Sequence, residues 1–486
     1  MNQQPGLPEQ PHANHPIALE FPATIAVIGA GPIGLEATLY GRFLGYDVTL
    51  FEAGDVADNV RQWQHLPMWT PFRDLHSRLG RMAIETQNAN HVFPDPQQEV
   101  NGEQWLRKYL LPLAETDLIA QSLRTNHRVL SVSRCHYSKH QSIPDETRWQ
   151  DGFVVAWEDG EGVEHRDTFD FVLDTSGTFQ HPQAWGVGGS PALGESQLRL
   201  LRQHDPALQA ALHLVAPNIA QEPARWKDSK VLVLGDSPQA AETVTQWKKA
   251  AAAGAELLWA IPSNVSEGGL FPTTPADPLP ARDRLFRAAN VLIEQHRRTS
   301  LADFTRDTTR DMTPDTSADA ADRTTPVSLQ IFSNTNLAAI KWNADSQRFH
   351  VRLTQWFDVD WETAPEDFEE PDDVEVELEF EQIVVAVGHR VAEPWASELI
   401  VPRCPRTEAM LALVQPLLAH QGERLDFQFT DPTWTLTPEG RYFVLGAKSF
   451  GRLPNYFHRL GLQQVRDAFR WIVGRATLDV EQTLRG

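Results

Sequence analysis

Three glycines and one acid carry the first chemistry legible in this chain: Gly29, Gly31 and Gly34, spaced as G-x-G-x-x-G, and Glu52 eighteen residues further on. Glycines at that spacing cradle a pyrophosphate. The first permits a tight turn, the second lets the backbone approach a phosphate with no Cβ in the way, and the third lets a helix pack close to a strand. A carboxylate at Glu52 accepts both hydroxyls of an adenosine ribose and repels a 2′-phosphate, so the pattern favours FAD or NAD over NADP.

The elements that must hold these residues follow from the flanking sequence. Ile25-Ala26-Val27-Ile28 is an apolar run with the length of a buried parallel strand. A helix is expected over 33–44, with Pro32 in its first turn, where a missing N–H costs nothing. That helix would aim its free N–H groups at the phosphates. A second strand, 48–51, delivers Glu52.

The same theme recurs later in the chain. Val231-Leu232-Val233-Leu234 is followed by Gly235-Asp236-Ser237-Pro238-Gln239-Ala240, a helix expected to Ala252, and a strand over 256–260. A duplicated unit implies a second nucleotide domain. This copy has Ser237 where the second glycine belongs, and Asp236 puts a negative charge beside the phosphate position. Its second strand ends Ala260-Ile261-Pro262, with neither a ribose-binding acid nor an arginine. Arg282, Arg284, Arg287, Arg297 and Arg298 follow, and serve equally as cofactor contacts or as surface bases.

At 486 residues the chain is long enough for two or three domains. Its formal charge of −22, from 65 acids and 43 bases, excludes a nucleic-acid footprint and an anionic membrane surface as expected partners. The excess is local: thirteen Asp or Glu and no Lys or Arg lie between Leu353 and His389, which reads as a solvated acidic face. Two cysteines, Cys135 and Cys404, make no disulfide framework and no C-x-x-C, so a reduced, cytoplasmic setting is expected. Residues 1–20 lack the basic and apolar segments of a signal peptide and read as a disordered lead-in. No run has the length of a spanning helix, and no cluster suggests a metal.

Between the two units, 58–81 is dense in Trp, His, Pro and Arg where a connection is expected. Trp63, Trp69 and Phe72 suit a flat ring ligand, and equally suit packing of the loop onto its own domain. A helix is expected over 102–116. Strands over 129–132, 153–157 and 169–173 form a first β-meander running into Asp174-Thr175-Ser176-Gly177-Thr178. A helix is expected near 197–214. The stretch 303–326, with thirteen Asp or Thr, reads as a disordered insertion. A second meander is expected from 329–332, 348–353 and 374–380; in the last, Val374, Val376, Leu378 and Phe380 alternate with glutamates, which predicts one buried and one wet face. It leads to Ala386-Val387-Gly388-His389. The final unit is Tyr442-Phe443-Val444-Leu445-Gly446-Ala447-Lys448, then a helix over 455–473.

Two glycine-turn units, each closed by a three-stranded meander and the second nested in the first, resemble the two-dinucleotide-binding flavoproteins: the pyridine nucleotide–disulfide oxidoreductase superfamily and its flavin-containing monooxygenase-like branch. The resemblance implies an α/β fold of two nested Rossmann-like domains, with FAD held by 21–225 and 390–486 and an NAD(P)-binding-like domain at 226–389. It implies cofactor contacts at Gly29, Gly31, Pro32, Ile33, Gly34, Glu52, Trp63, Thr70, Val129, Ser176, Gly177, Gly446 and Lys448, and at Gly235 and Ser237 for NAD(P)H. It assigns no catalytic side chain; His65 and His181 are possible proton donors and equally ordinary histidines. The sequence departs from the family in lacking C-x-x-C, in Ala447 where many relatives place an Asp on the ribityl chain, and in lacking the Phe, Gly and His monooxygenase fingerprint around 179–194. The implied activity is an NAD(P)H-dependent, monooxygenase-like oxidation of a small molecule. An NAD(P)H:acceptor reductase, including one working through a single cysteine, and a non-enzymatic FAD-binding sensor stay open, as does the oligomeric state.

Overall fold

The computed structural model of the chain describes residues 22–484 apart from 220, 248–253, 266–268, 274–276, 278, 299, 302–328, 358–372, 421–426, 430 and 455. The expected lead-in, the 303–326 insertion, the end of the helix expected to Ala252 and much of the acidic run fall outside the described residues. The chain divides into two units, 1–181 with 390–486, and 182–389.

The first unit is built on a five-stranded parallel sheet in the order Tyr442–Val444, Phe171–Asp174, Thr24–Ile28, Asp47–Phe51, Leu123–Arg124. Its central strand is apolar throughout because both faces are covered. Ile25 and Val27 enter a core with the helix Pro32–Phe43 and the helix His458–Val473, while Ala26 and Ile28 enter a second core with the meander. The meander is Arg128–Arg134, Phe153–Glu158 and Glu164–Phe169, all antiparallel. The expected strand 169–173 is thus two elements: its first residue closes the meander, and Phe171–Asp174 pairs with Thr24–Ile28 in the parallel sheet.

The expected connection after Glu52 holds structure of its own. It contains the short helix Asp58–Gln62, the strand Pro67–Pro71 paired with Glu99–Asn101, and the helix Arg78–Gln87. The helix expected over 102–116 starts on an Asn101/Gln104 capping box but passes through a π-turn at Leu106–Leu110. Pro112 has no N–H for the Lys108 carbonyl, which accepts from His91 Nε2 at 2.9 Å instead.

The second unit repeats the plan, with parallel strands in the order Leu212–His213, Gln382–Val385, Lys230–Leu234, Glu256–Ala260, Leu329–Phe332. Val231 and Val233 face one core and Leu232 and Leu234 the other. Three expectations change here. Leu329–Phe332 belongs to the parallel sheet, and the meander is Thr335–Asn343, Arg348–Gln355 and Val374–Phe380. The domain boundary expected after Arg225 falls at His181, because Leu198, Leu208 and Leu212 pack into the second unit's core with Leu337 and Ile340. The helix expected near 197–214 is two short ones, Glu195–Leu201 and Pro206–Ala211. No helix among the described residues is long and apolar enough to cross a membrane.

Candidate functional site

In the first unit the turn after Thr24–Ile28 answers to packing at two of its glycines. Gly29 has φ +97°, and a Cβ on it would stand 2.8 Å from Ser176 Cα; one on Gly34 would stand 1.8 Å from the Gly29 carbonyl oxygen. Gly31 is different. Its φ of −74° and ψ of −176° are open to any residue, and a Cβ there would meet no atom within 4 Å. The space beside Gly31 is therefore left clear by the chain without any internal need for it, as close approach of a phosphate requires. Gly31 caps the helix Pro32–Phe43 with no side chain on its first N–H groups, so unpaired donors and the positive dipole end lie at the same turn.

Glu52 closes the turn. Its Oε2 accepts the Ala30 N–H at 2.7 Å and its Oε1 the Gly54 N–H at 2.9 Å. Burial raises its pKa, against the pull of these two N–H donors. Each oxygen retains a lone pair for a ribose hydroxyl.

The ends of the neighbouring strands supply the rest. Asp174, wholly buried, accepts Lys448 Nζ at 2.7 Å and the Tyr442 hydroxyl at 3.0 Å on Oδ2, and the Ser176 N–H and hydroxyl on Oδ1 at 3.1 and 2.7 Å. Lys448 is equally buried; Nζ also donates to Ser176 Oγ at 3.0 Å, lies 3.6 Å from Glu393 and sits 4.2 Å over the Trp395 ring. Burial alone would raise the Asp174 carboxyl, but Lys448 and the Ser176 donors hold it below its ordinary value. Gly446 donates its N–H to Gln464 Oε1 at 2.7 Å and lies against Ile33, 3.4 Å from its Cγ1 measured from a Cβ built on the glycine.

Gly29, Gly31, Pro32, Ile33, Gly34, Glu52, Ser176, Gly446 and Lys448 are thus gathered at the carboxyl ends of the parallel strands, where such sheets take ligands. Gly177, φ +72°, follows Ser176 with open space around it. Lys448 is not a free cation toward a ligand, since Asp174, Ser176 and Glu393 surround its ammonium. Val129 turns its side chain into the core with Ile28 and Phe51, so its part in a site is limited to its backbone. Trp63 is half-buried with its ring 6.5 Å from that of Trp105 and packs against the core cluster that also holds Ala30 and Ile33, and Thr70 is half-buried in the strand Pro67–Pro71. His181 is half-buried, and burial, then the positive charges of Lys448 and Arg390, lower its pKa. Both cysteines are free; burial raises the Cys135 thiol, and hydrogen bonds from Thr407 lower that of Cys404.

The sequence pattern did not reveal a second buried group. Glu36, in the helix Pro32–Phe43, is wholly enclosed, accepts the Tyr109 hydroxyl in a short hydrogen bond and the Ser77 N–H at 3.3 Å, and is raised by burial to about 7. Its only signal is an acid on the inward face of an apolar helix.

The second unit copies the turn's backbone and changes its chemistry. Gly235 has φ +112° and donates to the Ala260 carbonyl, as Gly29 donates to Phe51; Ser237 caps the helix Pro238–Thr245 as Gly31 caps its own. Ser237 puts a side chain where Gly31 has none, with its hydroxyl buried and without a hydrogen-bond partner among the described residues. Exposed Asp236 accepts the Ser263 hydroxyl at 2.9 Å, and buried Ile261 stands where Glu52 stands in the first unit. Arg282 is held by Asp277 at 2.8 Å and Arg287 by Asp283 at 2.6 Å, and an Arg297 Nη1 donates to the Val265 carbonyl, so these three are engaged within the unit. Among the described residues no cluster of His, Cys, Asp or Glu could hold a metal.

Two solved structures share this architecture. The chain is similar to bacillithiol disulfide reductase Bdr from Bacillus cereus, with a TM-score of 0.56 and 11% identity over 93% of this chain and 98% of that one. It is similar also to the enzyme of that name from Staphylococcus aureus, with a TM-score of 0.53 and 11% identity over the same shares. At that identity the likeness shows the fold alone, an α/β architecture of two Rossmann-like units. No family model and no curated protein matches the chain.

Proposed function

We propose that this chain is an FAD-dependent oxidoreductase that takes electrons from NAD(P)H and oxidises a small molecule in a monooxygenase-like reaction, in a cytoplasmic setting. The observation that carries the flavin is Gly31, where a Cβ would meet no other described part of the chain within 4 Å, at a helix start with no side-chain cap. Gly31, the first-turn N–H groups and Glu52 would hold the dinucleotide. Bound flavin supplies hydride and electron chemistry that no side chain here supplies. The chain's own part is binding, orientation and electrostatics: Glu52 selects an unphosphorylated ribose, and the buried Lys448–Asp174 pair joins the strand ends that the ring system would lie against.

A second reading rests on the second turn, where Asp236, Ser237 and Ile261 replace the residues that suit a dinucleotide. On that reading the protein binds FAD and its second unit is silent. A simple NAD(P)H:acceptor reductase lies between the two. The test is to record the visible spectrum of aerobically purified protein, then add NADPH and NADH anaerobically in a stopped-flow cell. Bleaching of the flavin band at about 450 nm establishes reduction and names the donor. Admission of oxygen then separates the outcomes, since a monooxygenase couples reoxidation to substrate and a reductase to an added acceptor. A yellow protein that neither nucleotide bleaches leaves the second reading.

A further inference from the structure

A cavity of about 600 Å³ opens in the first unit beside the helix Arg78–Gln87. Its wall carries three guanidinium groups, Arg73, Arg78 and Arg81, in a chain whose net charge is −22. Two of them are engaged nearby: Arg81 pairs with Glu85 at 3.1 Å and stacks over Phe93 at 4.7 Å, and Arg73 lies 3.6 Å from Asp74. The Arg78 side chain has no hydrogen-bond or ion-pair partner among the described residues. His76, on the same wall, is fixed by its Nδ1, 3.2 Å from the Ser77 carbonyl, and by its ring, 4.6 Å from that of Phe72.

The chain already places an acid here. Glu481, from the short helix Val480–Thr483, accepts the Arg78 N–H at 3.1 Å through Oε2 and the Leu79 N–H at 3.3 Å through Oε1. A carboxylate therefore docks through both oxygens at one end of the cavity. Met82, Pro96 and Leu484 form an apolar side, and the volume lies in the range of small-molecule sites, well beyond a bare ion. Guanidinium groups suit planar or tetrahedral oxyanions through paired N–H donors.

We propose that this cavity binds a small organic acid, a carboxylate or phosphomonoester with an apolar body, and that Glu481 is the tethered carboxylate that such a ligand displaces. The oxyanion lies against Arg78, Arg81 and the helix N–H pair, and the body lies along Met82 and Leu484. The proposal is independent of the flavin reading, since none of these residues belongs to the glycine turn.

The test is calorimetric titration of the full chain as purified with hexyl phosphate, hexanoate and, as an uncharged control, hexanol. One site is expected for at least one acid and none for hexanol; the tighter acid tells phosphate from carboxylate. Arg78→Ser/Arg81→Ser should weaken binding at least tenfold, and Glu481→Ala should tighten it at least tenfold. Equal affinity in the wild type and the arginine variant, binding of hexanol as strong as that of the acids, or no binding in Glu481→Ala overturns the proposal. Should the arginine variant fail to fold, Glu481→Ala decides alone.

Discussion

Replacing Lys448 by Met would leave a carboxylate, Asp174, sealed in the first unit without its cation. The pair is 2.7 Å apart and both side chains are wholly buried. At an effective dielectric of about 20 their Coulomb attraction is ~6 kcal/mol, set against a desolvation cost of several kcal/mol per ion. Removing one partner exposes the cost without the gain, for which about 3–5 kcal/mol is typical. The Ser176 N–H, the Ser176 hydroxyl and the Tyr442 hydroxyl still reach Asp174, which places Lys448→Met near the lower figure. The double variant Lys448→Met/Asp174→Asn removes both charges and should recover most of the loss. The pH dependence has a definite sign. In the wild type the Asp174 pKa is depressed, so its stabilisation is present above the unfolded value and is lost as pH falls through the folded one. In Lys448→Met, burial unopposed by the lysine raises that pKa, so the variant's deficit should grow as pH rises. Urea unfolding of flavin-loaded protein, followed by flavin release at pH 5 and pH 8, reads the first unit. If Lys448→Met and the double variant lie within about 1 kcal/mol of each other at both pH values, the pair is not the clamp described here.

Other expectations are narrower. Gly34→Ala should prevent normal folding, because its Cβ would stand 1.8 Å from the Gly29 oxygen, while Gly31→Leu should melt like the wild type without cofactor and lose flavin content, read from the visible spectrum. Glu36, raised from 4.5 to about 7 by burial, contributes stability that is full below its unfolded pKa and lost as pH rises through about 7. Wild-type melting temperature should therefore fall from pH 6 to pH 8, by the equivalent of about 1 kcal/mol, and Glu36→Gln should flatten that slope. Asp236→Ala/Ser237→Gly should raise affinity for NADH or NADPH at least tenfold in an anaerobic titration, with an unchanged second-unit fold by circular dichroism.

The parts of the fold that the chain spelled out are those set by neighbours in sequence. The run Ile25–Ile28, the glycines of both turns, Pro32 and the alternation over Val374–Phe380 each declare their element within a few residues, because strand burial, turn conformation and face alternation are local demands. Misreadings came where pairing is decided at a distance. Leu329–Phe332 has the composition of any short strand, and only its parallel register with Leu257–Ala260 assigns it to the sheet. The stretch 182–225 joins the second unit through Leu198, Leu208 and Leu212, in a core whose members Leu337 and Ile340 lie more than 100 residues on.

The candidate site divides the same way. Gly29, Gly31, Gly34 and Glu52 mark the candidate nucleotide turn by type and spacing alone, and Ser237 and Asp236 mark its altered copy. What the tertiary structure alone decided is which charges end up sealed together. Lys448 meets Asp174 across 274 residues of chain, and Glu36 meets Tyr109 across 73. Composition and periodicity carry no trace of such pairs, because a buried charge is tolerated only by the partner the fold brings to it. That is why Lys448, expected at a ligand, is held inside the protein.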